Sequence, residues 1–184
     1  MILTTTGSAV AQQAKTGGYI GIPYSIMDCQ AFVEQVLKDL GVRKKDGSVY
    51  NWRGSNSMWR NYINWRGTID ECKQKFGKIP DGAFMFLVKH DGGEKEKGYN
   101  DNLGNASHVG LYVSGPEYPC MDSQELKGRR PNAGVAYCNL NVFTHVGLMS
   151  MIDYAEQPEP LPVIPTKAEA LQALDIVKRY IENT

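Results

Sequence analysis

The chain carries no excess of either charge: 20 Lys and Arg stand against 20 Asp and Glu in 184 residues. Without a basic block or stripe, the electrostatic footprint of a nucleic-acid partner is missing. No apolar run approaches the ~20 residues a helix needs to cross a bilayer, so no membrane partner is expected. Met1 to Gly7 hold neither a basic leader nor a long apolar stretch, which argues against a secretory signal and leaves localisation open. Cysteine and histidine are scarce. The four cysteines (29, 72, 120, 138) form no CxxC pair and the three histidines (90, 108, 145) no ligand pair, so no metal site or cofactor is expected. Counting allows two disulfides, but the missing signal and a chain long enough for a real core favour thiols.

What is present reads as an α+β chain with an antiparallel sheet, helices first and strands later. Ser8 to Thr16 has the character of a short helix stopped by Gly17-Gly18. Asp28 reads as an N-cap, and the helix after it carries Phe32, Val33, Val36, Leu37 and Leu40 on one face before Gly41 ends it. Residues 42–65 read as an ordered loop around Trp52, Trp59 and Trp65, with a short helix from Ser57 to Tyr62. Thr68 with Glu71 is a capping box for a helix to Phe76. Ala83 to Val88 is a buried strand and Lys89 to Asp101 a solvated hairpin loop. Further strands are expected at Val109–Val113, Tyr118–Asp122 and Gly134–Leu140. The domain is expected to span 1–154. A stiff Pro-rich linker (155–165) then leads to an amphipathic helix (166–184), capped by Thr166, that packs on its own domain, self-associates or joins a further module.

Cys29 and His108 are the candidate chemistry. A neutral thiol, with an ordinary pKa of ~8.5, is a poor nucleophile. At a helix N-terminus the unpaired N–H groups and macrodipole favour the thiolate, and a nearby imidazolium favours it further. His108 follows the turn Gly104 to Ser107 and is expected at the mouth of a strand, aimed at the helix start. An imidazole base needs its second nitrogen fixed by an acceptor, and Asp122 on the neighbouring strand is the candidate. His90 and His145 compete for the base role, His145 having the better structural reading. The competing reading of Cys29 is an inert buried thiol.

The run Asp28-Cys29-Gln30-Ala31-Phe32-Val33 resembles the DC-S-G-F-V signature of the NlpC/P60 cysteine peptidases, particularly phage- and prophage-type members. Gly82 to Leu87 resembles their strand before the histidine. Gly104 to Tyr112 resembles the histidine motif, and Thr144 to Leu148, ending at Ile152-Asp153-Tyr154, the closing segment. The match covers about residues 8–154 in order. It implies a papain-like fold and a thiol endopeptidase that hydrolyses peptidoglycan stem peptides, between γ-D-glutamate and a diamino acid. Cys29 is then the nucleophile, His108 the base and Asp122 the orienting residue, with Tyr24, Asp28, Gln30 and Ser107 at the substrate. Two positions depart from the family: the third residue, most often histidine, is Asp122, and the Ser-Gly after the cysteine is Gln30-Ala31. Arg129 and Arg130 are candidates for meeting substrate carboxylates. The rival functions are a cell-wall amidase or acyltransferase of a related cysteine fold, and a catalytically dead wall-binding or virion structural module.

Overall fold

The computed structural model describes residues 5–44, 46–51, 54–115, 117–125 and 134–155. Met1–Tyr154 form one compact unit and Ala155–Thr184 a second. The Pro-rich linker and the amphipathic helix expected in the second unit, and the two arginines at 129 and 130, lie outside the described residues.

Strand β1 (Thr5–Thr6) runs straight into α1 (Gly7–Thr16), where the Thr6 hydroxyl caps the Ala9 N–H at 3.1 Å. Helix α2 (Cys29–Asp39) follows, then α3 (Ser55–Asn61), β2 (Trp65–Thr68) and α4 (Ile69–Phe76). The expected capping box is present on α4: Thr68 and Glu71 each satisfy the other's backbone N–H. Next come β3 (Phe84–Lys89), α5 (Gly93–Glu96), β4 (Asn105–Tyr112), β5 (Cys120–Gln124) and β6 (Gly134–Cys138). A 3-10 turn (Leu140–Val142), β7 (His145–Leu148) and β8 (Ile152–Asp153) finish the unit. The main sheet is antiparallel, in the order β2-β7-β3-β4-β5-β6, and β1 pairs with β8 in a small parallel sheet. The α+β class with its antiparallel sheet is the one expected.

Three elements differ from expectation. Lys89 to Asp101 is not a plain solvated loop: it contains α5, buries Glu94, and is tied down where Arg60 grips Asp101 at 2.7 and 2.8 Å. β2 forms from residues read as the end of a loop, because pairing with β7 supplies bonds that local propensity does not. His108 stands in the middle of β4 rather than at its mouth. The residues read as a turn belong to the strand because α3 holds them: Ala106 N–H donates to Asn56 Oδ1 at 2.9 Å, and Ser55 Oγ to the Ala106 carbonyl at 2.6 Å.

Side-chain alternation divides the sheet into two faces. Phe84, Phe86, Val109, Leu111, Met121 and Val135 point to one, where they share a buried cluster with Val10 and Ala14 of α1, Phe32, Val33 and Val36 of α2 and Trp59 of α3. Met85, Cys120, Cys138, Val146 and Leu148 point to the other and form a smaller cluster with Cys72 of α4 and with Phe143. His108 and Asp122 belong to this second face by register, paired with Leu87 and Gly110 respectively.

Candidate active site

Helix α2 starts where the sequence placed its start. Asp28 is the N-cap, its carboxylate accepting the Ala31 N–H at 2.8 Å, so its charge is turned into the first turn. The approach to that start is pinned to the sheet at two points. Gly21 N–H donates to the Val135 carbonyl and Val135 N–H to the Ile22 carbonyl, both at 2.9 Å. Ser123 Oγ donates to the Met27 carbonyl at 2.5 Å. Gly134 permits the first of these contacts: its φ is +98°, and a Cβ there would meet the Ile22 carbonyl oxygen at 2.0 Å. Met27 lies two residues before Cys29 and Ser123 one residue after Asp122, so a single bond sets the helix start beside the strand end that carries the carboxylate.

His108 Nε2 lies 2.8 Å from Asp122 Oδ2. Gln124 Nε2 donates to that same oxygen at 2.5 Å. The three residues follow from one pleat: 122 and 124 share a face of β5, and 108 comes to it diagonally from β4. The His108 side chain is 14% exposed and that of Asp122 fully buried. A buried carboxylate is costly unless donors surround it, and two N–H groups are aimed at this one. With the proton on Nε2 and donated to Asp122, Nδ1 keeps its lone pair for a reaction.

Two features aim the ring. The register between β3 and β4 shifts after the Leu87–His108 pair, to Val88–Ala106, leaving Ser107 as the extra residue of a β-bulge. Phe143 then stacks on the imidazole, with planes 7° apart and centroids at 5.7 Å. Gly110 leaves room for that ring, since a Cβ there would meet Phe143 Cζ at 2.7 Å. The competitors are placed otherwise. His90 is exposed at the end of β3. His145 faces the helical side, edge-on to Trp59 at 5.6 Å and bonded through Nδ1 to Thr144 Oγ1 at 2.8 Å.

Cys29 is the first residue of α2, is 9% exposed, and belongs to the apolar cluster on the helical face. Among the described residues, no hydrogen bond joins its thiol to His108. The structure therefore brings His108 and Asp122 into contact, but it does not aim His108 at the helix start as expected. The bulge turns the ring to the face opposite the cluster that holds Cys29, and only the Ser123 bond links the helix start to that strand end. Tyr24 is half-buried near the thiol. Burial raises its phenol above the ordinary range, and electrostatic repulsion from Cys29, Asp28 and Glu125 adds to that, so it stays a neutral hydroxyl. Gln30 donates to Glu34 along the helix at 2.8 Å, and Ser107 is exposed, its hydroxyl 3.3 Å from the Leu87 carbonyl. Burial pushes the Cys72 thiol up to about 11 and Cys120 up to about 12, which makes both poor nucleophiles at neutral pH.

The sequence alone assigns no role to Gln124, Ser123 or Phe143. Gln124 was legible, because period-2 alternation puts it on the face of Asp122. Phe143 was not, because it reaches His108 from a turn more than thirty residues on. Among the described residues no group of three or more His, Cys, Asp or Glu could hold a metal ion, and no helix is long and apolar enough to cross a membrane. No protein-family model, curated protein or solved structure matches this chain.

Proposed function

We propose that the chain is a cysteine hydrolase of peptidoglycan stem peptides, a papain-like endopeptidase of the NlpC/P60 type cutting at the γ-D-glutamyl–diamino acid bond. The observation that carries the reading is the His108–Asp122 hydrogen bond at 2.8 Å, made through Nε2, beside the anchored start of the helix that opens with Cys29. Nδ1 of His108 takes the thiol proton as Cys29 sulfur attacks the amide carbonyl. The Cys29 backbone N–H, at a helix start, faces the developing oxyanion. His108 returns the proton to the leaving amine, then activates the water that releases the acyl-enzyme. By register His108 lies on the face of β4 opposite the cluster that holds Cys29. This mechanism therefore requires a rearrangement that brings ring and thiol together at the strand end where Ser123 ties down the helix start.

Cys29→Ala assayed on purified sacculi of diaminopimelate and lysine type tests the reading. Loss of product is expected, and mass analysis of muropeptides released by the unaltered chain should show a new amine on the diamino acid. Activity retained by the alanine variant removes Cys29 as nucleophile, while a new amine on another residue points to the amidase reading. The burial of Cys29 and its lack of a bond to His108 favour one second reading, a wall-binding module with an inactive site. An iodoacetamide rate at Cys29 no faster than that of a free peptide thiol supports that module.

A further inference from the structure

Cys120 and Cys138 stand directly opposite each other across the β5–β6 ladder. Opposed residues of an antiparallel pair hold their Cα atoms about 4.5–5.5 Å apart, inside the 4.4–6.8 Å span that a disulfide bridges. The same pleat sends both side chains to the second face, where they are 0% and 4% exposed. All four cysteines are unbridged in this structure. We propose that Cys120 and Cys138 form an oxidation site, closing to a cross-strand disulfide that clamps β6 to β5. Of the other two cysteines, Cys29 belongs to the opposite face, while Cys72 shares the cluster from α4 with its thiol on the Lys78 carbonyl at 3.9 Å, so only the 120–138 pair is opposed by register.

The position gives the bridge a consequence. β6 is the outer strand of the sheet and β5 its neighbour there. Cys120 precedes Asp122 by two residues on the same face, so the clamp fixes the strand that holds the carboxylate. A low-molecular-weight disulfide such as oxidised glutathione supplies the oxidising equivalents. Cys138, at the end of the outer strand, gives up its proton and attacks one glutathione sulfur; the glutathione S–S bond breaks and one glutathione thiolate leaves. Cys120 then loses its proton, attacks the Cys138 sulfur and displaces the second glutathione as a thiol. Two cysteine thiols become one disulfide, and one oxidised glutathione becomes two thiols. Burial holds the Cys120 thiol up at about 12, so closure is slow at neutral pH and accelerates in alkali.

This site is independent of the hydrolase reading and is tested without any activity. The full chain is incubated with oxidised glutathione, remaining thiols are alkylated, and unreduced digests are mapped by mass spectrometry. The expected result is a peptide pair joined through Cys120 and Cys138, with a melting temperature raised by about 5 °C or more over the reduced protein. Cys138→Ser treated alike should show neither the link nor the rise. Cysteines 120 and 138 both alkylated after oxidation, or bridged only to other thiols, overturn the proposal. A correctly linked protein that melts no higher overturns the clamp. The map of the unaltered chain stands whether or not the serine variant folds.

Discussion

The two faces of the six-stranded sheet do different work. One carries Phe84, Phe86, Val109 and Leu111 under three helices and holds the larger apolar cluster. The other is thinner: its apolar cluster lies against α4, and it admits a fully buried carboxylate, a part-buried imidazole and an aromatic ring stacked on that imidazole. Burial on the first face is non-directional and tolerates alternatives of equal volume. Placement on the second is directional, because Asp122 must meet two N–H donors at one oxygen. Stability therefore concentrates on one side of β4 and β5, and the acid–base groups on the other. The start of α2 is the place where the helical side is tied to the strand end bearing the carboxylate.

The largest expected effect separates the faces outright. Phe32→Ala empties a fully buried site in α2 and should cost about 3–5 kcal/mol in urea unfolding. Activity per folded molecule should stay near that of the unaltered chain. A proportionate loss of specific activity would mean the faces are not separable. Asp122→Ala reverses the pattern. It strands the His108 and Gln124 donors, and the proposed hydrolysis should fall about 100- to 10,000-fold. Single-turnover kinetics check it, and a loss under threefold would leave Asp122 with a purely structural role.

Ser123→Ala cuts the tie itself. Losing the bond to the Met27 carbonyl should cost about 1–2 kcal/mol, because Ser123 is fully buried and its partner is left unpaired. It should also lower the rate with KM little changed if the bond positions the helix start. An unaltered rate would show that the tie serves stability alone.

The smallest effect is a pH dependence from the helical face. Burial lowers the His145 pKa below its ordinary 6.5, with His90 adding repulsion and Glu71 opposing. The folded state then binds fewer protons than the unfolded chain. This contribution is intact above 6.5 and is lost as pH falls toward the lowered value. Denaturation midpoints should drop between about pH 7 and 5. His145→Gln should flatten that window while leaving the steeper carboxylate-driven loss below it. A drop of unchanged size in the variant would assign the dependence to another group.

Much of this was legible before any coordinates. The cap at Asp28, the apolar stripe of α2 and the capping box at Thr68 are local features, and each formed within a residue or two of its expected place. Asp122 was reachable by supposing an antiparallel partner for the His108 strand. The bulge at Ser107 was not, since it depends on which residues of β3 and α3 hold the start of β4. Nor was β2, whose residues take strand form only against β7.

By itself the sequence determined the helix starts, the alternating strands and the identities of the reactive side chains, because caps and periodicity act over a few residues. Which face of the sheet each reactive group occupies was decided by tertiary structure alone. A single extra residue in β4 moves His108 to the opposite side of the pleat from the one that unbroken alternation with Ala106 would give, and only the pairing of distant strands sets that register.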